Sequence, residues 1–275
     1  MNILKRISYN PFSIKLVKFL HLRPMARKVY YLLFCPKDNI VNVSLSGISV
    51  KFYAKNPDEL RLIESVTGGK GEKRVLSSLV SLLQNGDIVY DVGANVGTYS
   101  VILAKSVGAS GKVFAFDPET ESLVRLEENI KLNNLNNVAV INKALGEKTV
   151  SGKLYISGTT GNFSLVNIYD KEAKSETVEI VNGDDFAKQQ NIPAPKAVKI
   201  DVEGYEYSVL LGLKQTLMDP NCKIICCEIH VGLFPDGITE EKVIELIKSF
   251  GFKKIETFKR SFSAYHIIAQ KNDEA

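Results

Sequence analysis

From residue 87 the chain alternates short apolar runs, DIVYDV, GKVFAFD and NVAVINKAL, with stretches of helical spacing from about Gly97 to Ser106 and from about Thr120 to Leu132. Apolar runs of this length need cover on both faces, and strands joined through helices can lie parallel because each helix carries the chain back to the same end. The pattern is βαβαβ, a parallel sheet with helices on both faces. It resumes with KAVKIDVEG, a helix through EYSVLLGLKQTL and the strand CKIICCEIH. A further helix over TEEKVIELIKSF is started by Thr239, with Glu240 and Glu241 in its first turn. GFKKIETFKR and SAYHIIAQK close the chain as antiparallel strands. Together with the 275-residue length, this leaves room for one substantial domain and an appendage.

The appendage is read as residues 1–58, a basic extension and hairpin, and the main domain as residues 59–275. NVSLSGISVKFYA has the alternation of a hairpin, while DELRLIESV and GEKRVLSSLVSLL have helical spacing, separated by Gly68, Gly69 and Gly71. Residues 1–37 contain Lys5, Arg6, Lys15, Lys18, Arg23, Arg27, Lys28 and Lys37, interleaved with apolar residues and without an acid. Three uses are open for this segment: an amphipathic contact with anionic lipid, a dimer contact through residues 1–35, or packing on the protein body. It has neither an apolar run long enough to span a bilayer nor the pattern of a signal peptide. Cys35, Cys222, Cys226 and Cys227 lack metal-binding or redox spacing, and reduced structural thiols fit a cytoplasmic protein, free or peripheral at the inner membrane face.

DVGANVG sets Asp91 at a strand end, followed by Gly93, Ala94, Asn95 and Gly97. Glycines there permit a sharp turn into a helix and a close approach of ligand to backbone. The spacing departs from the G-x-G-x-x-G that cradles a pyrophosphate, and an acid at the turn would repel phosphate but suit an amine. One strand–helix–strand unit later, FAFDPE places Asp117 where a carboxylate can accept ribose hydroxyls. An adenosine ligand with a cationic end and no phosphates is the expectation, which points to S-adenosylmethionine.

At this point the sequence resembles the class I S-adenosylmethionine-dependent methyltransferases and, within them, the FkbM-type family. The resemblance runs from about Leu60 to Gln270, carried by DVGANVGTYS, FAFDP, KIDVEGYEYSVLLG and CCEIH. It implies a Rossmann-like α/β fold: a seven-stranded, mostly parallel sheet with a C-terminal antiparallel strand, plus the small N-terminal helical and hairpin extension. It further implies that Gly93, Ala94, Asn95 and Gly97 line the methionine end of the cofactor, that Asp117 binds the ribose, and that Pro118 shapes the adjacent turn. Asn142 to Ala144 would lie near the adenine, and Asn162 and Ser164 would come over the cofactor from the polar stretch TTGNFSLVNIYDKEAK. Members of the family mostly methylate hydroxyls of sugars, glycan or lipid head groups and small metabolites.

Methyl transfer to an alcohol needs a nucleophile held in line with the sulfonium methyl and a base for its proton. Asp201 and Glu203 alternate at the end of VKIDVEG, and Glu228 and His230 alternate at the end of the neighbouring strand. Asp201 is the candidate to face the methionine amine and methyl. Glu203 orients the acceptor, acts as base or caps a helix; His230 has the pKa range of a base. These residue types also suit Mg²⁺ or Ca²⁺, but nothing in the spacing demands it and no metal is assigned.

The expected activity is S-adenosylmethionine-dependent methylation of a hydroxyl on a small molecule, sugar or lipid-linked glycan. Nitrogen or carboxyl methylation is one alternative, and a non-catalytic binding or scaffold protein on the same fold is another. Nucleic-acid base methylation is disfavoured, because the stretch after the fourth strand reads DVEGYE instead of Asn/Asp-Pro-Pro-aromatic and the formal net charge is only +4.

Overall fold

A computed structural model describes residues 23–68, 71–156, 163–166, 174–259 and 264–272. Helix α1 (Arg23–Phe34) leads into the hairpin β1 (Ile40–Leu45) and β2 (Ile48–Tyr53), then helices α2 (Pro57–Thr67) and α3 (Glu72–Ser81). The expected alternation follows: β3 (Ile88–Val92), α4 (Thr98–Ser106), β4 (Lys112–Phe116), α5 (Thr120–Leu132) and β5 (Val138–Ile141). After a second sheet come β10 (Ala197–Ile200), α7 (Glu206–Gly212), α8 (Lys214–Met218), β11 (Ile224–His230), α9 (Glu240–Ser249), β12 (Phe252–Lys259) and β13 (Ala264–Lys271).

The main sheet has seven strands in the order β12-β13-β11-β10-β3-β4-β5. From β11 to β5 each neighbour is parallel, and β13 runs antiparallel between β11 and β12. Every residue of β10 and β11 is buried, as central strands covered on both faces require. On one face, Val43, Val50 and Phe52 of the hairpin share a core with Ile63, Val75 and Ile102. On the other, Tyr90 and Phe116 pack with Val209, Leu213, Val243 and Ile247. Strand order reverses between β3 and β10, which opens a crevice at their carboxyl ends.

Two expected elements divide. The run NVAVINKAL splits into β5 in the main sheet and β6 (Ala144–Gly146) in a four-stranded sheet ordered β6-β9-β7-β8, with β7 (Val150–Ile156), β8 (Phe163–Ser164) and β9 (Lys174–Asn182). The break falls where Asn142 donates to the Pro118 carbonyl at 3.1 Å. The helix through EYSVLLGLKQTL breaks at Leu213 because Asp184, in α6 (Gly183–Gln189), accepts from the amides of Gln215 and Thr216 at 2.6 and 2.8 Å and so caps α8.

The hairpin is tied to α5 by side chains. Asn133 accepts from the Lys51 amide at 2.8 Å and donates to the Lys51 carbonyl at 2.6 Å, and Asn129 accepts from the Tyr53 amide at 2.9 Å. Asn129 also donates to the Val96 carbonyl at 2.9 Å, which joins the hairpin to the turn after β3. The four cysteines are free thiols, with Cys222, Cys226 and Cys227 buried. Among the described residues no helix is long and apolar enough to cross a membrane.

Candidate active site

The crevice deepens into a cavity of about 350 Å³, a volume within the ordinary range for small-ligand sites. One end is built on the turn after β3. The amides of Gly93 and Ala94 donate to the Phe116 carbonyl at 2.9 and 3.0 Å, so the turn is fastened to the end of β4. Gly93 has φ +78°, and a Cβ there would meet the Asp201 carbonyl oxygen at 1.9 Å; only glycine permits this approach. Asn95 donates its amide to Asp117 at 2.8 Å, and the other Asp117 oxygen accepts from the Glu119 amide at 2.9 Å. Burial pushes the Asp117 carboxyl up to about 6, although these two amides favour its charged form. Gly93, Ala94, Asn95, Asp117, Pro118 and Ala144 all line the cavity.

Other residues expected at this end stand outside the lining. Asp91 is fully buried, with Ser100 donating to it at 2.6 Å and Lys199 Nζ 3.1 Å away, so its charge is met inside the protein instead of being presented to an amine. Gly97 starts α4 in the left-handed region against Leu126. Asn142 is exposed and clamps the Asp117–Pro118 turn from outside. Ser164 is buried and donates to the Glu203 carbonyl at 2.7 Å, while its neighbours Phe163 and Leu165 reach the cavity. Asn162 lies outside the described residues.

At the other end, Asp201, Glu203, Glu228 and His230 come together on one wall. His230 Nε2 is 3.4 Å from Glu203, 3.7 Å from Glu228 and 3.9 Å from Asp201. Glu228 and His230 meet through strand alternation, as expected. Asp201 and Glu203 converge for a different reason: β10 ends at Ile200, and Glu203 turns back at φ +50° with Gly204 after it at +102°. Left-handed backbone at a glutamate carries strain, a feature concentrated at functional sites. A Cβ on Gly204 would strike the Leu233 carbonyl at 2.5 Å, so the turn is held against the segment after β11.

His230 Nδ1 lies 2.7 Å from the buried Glu206 carboxylate. Burial alone would lower the histidine pKa, but the Glu206 hydrogen bond and the charges of Asp201, Glu206 and Glu203 outweigh it and push it up to about 10. The surrounding carboxylates thus favour the protonated imidazole. Asp201, Glu203 and His230 bring ligating atoms within 4.8 Å of one another, as do Glu72, Glu228 and His266, but the first set offers a cation its histidine donor only once His230 has lost its Nε2 proton.

Sequence reasoning passed over several members of this wall. Lys199, at the centre of β10, is buried and donates to the Gly93 carbonyl at 2.8 Å. A lysine inside a strand covered on both faces was the available signal. Glu206, the orienting partner of His230, is hidden in the first turn of α7. Glu72 accepts from the Tyr99 hydroxyl at 2.8 Å, and both line the cavity from helices whose spacing signals only packing.

The family model of the methyltransferase FkbM domain matches residues 91–254. A hexuronic acid methyltransferase, AglP of Haloferax volcanii, is 29% identical over 196 residues, which cover 71% of this chain and 77% of that protein. The tRNA (guanine(37)-N(1))-methyltransferase Trm5b of Pyrococcus abyssi is 45% identical over 60 residues only, 22% of this chain and 17% of that one. Among solved structures, a "putative rRNA-methylase" of Clostridium thermocellum superposes with a TM-score of 0.50 at 18% identity, covering 76% of this chain and 99% of its own, a likeness of fold alone. S-adenosylmethionine, which would supply an activated methyl group, fits the lining described above: the turn Gly93–Asn95 with the Asp117 carboxylate held beside it by the Asn95 amide. The chain is an enzyme that uses this cofactor, and it belongs to the FkbM family of S-adenosylmethionine-dependent methyltransferases.

Proposed function

We propose that the enzyme transfers the methyl group to a hydroxyl of a sugar, free or lipid-linked, or of a comparable small molecule. The observation that carries this reading is the carboxylate and histidine cluster at the cavity end beside the cofactor turn. Asp117 binds the ribose; Gly93, Ala94 and Asn95 face the methionine end. Glu203 takes the acceptor proton, since it is half-exposed to the cavity whereas His230 already carries a proton and is locked by Glu206. His230 holds Glu203 in place, Asp201 faces the donor methyl, and the fully buried Glu228, 3.7 Å from His230, supports that histidine. The hexuronic acid relative supports a sugar acceptor. It also favours a second reading, methylation of a uronic acid carboxylate, which needs no base.

The test is incubation with methyl-labelled S-adenosylmethionine and a panel of neutral sugars, uronic acids and lipid-linked glycans. An alkali-stable ether from a neutral sugar, with kcat lowered roughly 10²–10⁴-fold by Glu203→Gln, supports the hydroxyl reading. An alkali-labile ester insensitive to Glu203→Gln establishes the carboxyl reading, and methylation of RNA bases by wild-type protein alone overturns both.

For the location, we propose the cytoplasm, with a peripheral contact at the inner membrane face through residues 1–35. Met25, Val29, Leu32 and Leu33 of α1 are 61, 48, 70 and 63% exposed, an apolar stripe in a basic segment. The opposite side of α1 is tied to α2, through Tyr30 to Glu64 and Arg27 to Asp58, and α2 supplies Leu62 and Ser65 to the cavity wall. Sedimentation with anionic but not neutral vesicles, abolished by a Leu32→Glu/Leu33→Glu variant, is expected. A concentration-dependent dimer lost in the same variant, with no vesicle binding, assigns the stripe to self-association.

A further inference from the structure

We propose that Lys199 is a positioning residue that fixes the distance between the turn holding the methyl donor and Asp201, the acid that faces the methyl group to be transferred. Pairing of β10 with β3 and β11 sets Lys199 beside Asp91 and Cys226. Its side chain is only 4% exposed. Nζ donates to the Gly93 carbonyl at 2.8 Å, stands 3.1 Å from Asp91 and 3.8 Å from Asp201, and sits 5.1 Å from the centre of the Tyr99 ring. One ammonium group thus touches the end of β3, the cofactor turn and the acid that follows β10.

A buried lysine can be explained by charge balance alone, since Asp91 is buried and needs a cation. Charge balance does not require the bond to the Gly93 carbonyl. That carbonyl belongs to the residue whose backbone packs directly on Asp201, with no space even for a Cβ. From the cavity wall, Lys199 links the Gly93 carbonyl to the Asp201 side chain. In-line displacement is sensitive to such placement, and a shift of about 1 Å between reacting groups costs on the order of 10²-fold in rate. The proposal uses the O-methyl transfer reading only in placing Asp201 at the donor methyl.

Lys199→Met alone leaves Asp91 buried without its cation and threatens the fold. The decisive variant is Asp91→Asn/Lys199→Met, which removes both charges together, with Asp91→Asn and Lys199→Arg as controls. Three quantities are measured: the melting temperature, the affinity for S-adenosylhomocysteine, and the ¹³C-methyl NMR signal of bound S-adenosylmethionine. Single-turnover transfer is added with any acceptor found. The double variant should fold and bind within about tenfold of wild type, yet show a displaced or broadened methyl signal and transfer slowed on the order of 10²-fold. Asp91→Asn should keep the wild-type signal. If the double variant keeps both the wild-type signal and rate, Lys199 only balances Asp91 and the proposal is overturned. If wild-type protein methylates no hydroxyl acceptor, the O-methyl reading fails while the methyl signal still decides the role of Lys199.

Discussion

At the cofactor end of the cavity the polar contacts run through main chain: the Gly93 and Ala94 amides to Phe116, and the Asn95 and Glu119 amides to Asp117. At the reacting end they run between side chains that titrate: Glu206 to His230, and His230 to Glu203, Asp201 and Glu228. The first end is therefore defined by conformation and tolerates little change in shape. The second is defined by charge, since four carboxylates surround one imidazole, where the first relies on the single carboxyl of Asp117.

The largest effect that tests this contrast comes from Gly93→Ala. A methyl group forced to within 1.9 Å of the Asp201 carbonyl, at a left-handed φ, should cost about 3 kcal/mol or more and abolish cofactor binding. Calorimetry with S-adenosylhomocysteine and a thermal melt check it; wild-type affinity in this variant would remove the distinction between the two ends. Asp117→Ala comes next, with affinity lower by about 10- to 100-fold, as for loss of a charged hydrogen-bond acceptor. Because the Asp117 carboxyl is pushed up to about 6, wild-type affinity should decline as pH falls through 6, and Asp117→Asn should flatten that profile.

The smallest effect concerns the charged end. The His230 pKa is raised from 6.5 to about 10, so the stability it contributes is fully present below about 6.5 and is lost as pH rises through 10. Against His230→Gln, wild-type protein should be more stable by about 1–2 kcal/mol at pH 6, with the gap closing toward pH 10. A gap constant across that window would mean that His230 is neutral throughout, restoring it as a candidate base.

The regular part of the fold was legible because consecutive apolar runs and helical spacing report burial directly, and the strand that leads into Asp117 and the strand that ends at His230 stand where those patterns place them. The breaks were not legible. Asp184 ends one helix and Asn142 marks the division of one strand through contacts with segments far away in sequence. In the site, Gly93, Asp117 and the Glu228–His230 pair could be found from local spacing. Glu203 was found for a reason the backbone does not obey, since its φ is +50° and the extended alternation has already ended. Lys199 and Glu206 escaped because what they do depends on neighbours brought by other strands and helices.

The asparagines that tie α5 to the hairpin also bear on how the chain avoids its own kind. β2 pairs with β1 on one side only, and the main-chain groups on its other edge at Lys51 and Tyr53 would suit another molecule's strand. Asn129 and Asn133 occupy them as a partner strand would, with the donors and acceptors of a ladder but without a backbone that can continue it. The hairpin edge is closed to templating by side chains of a helix that also steadies the cofactor turn, and in Asn129 protection from aggregation and support of that turn meet in one residue.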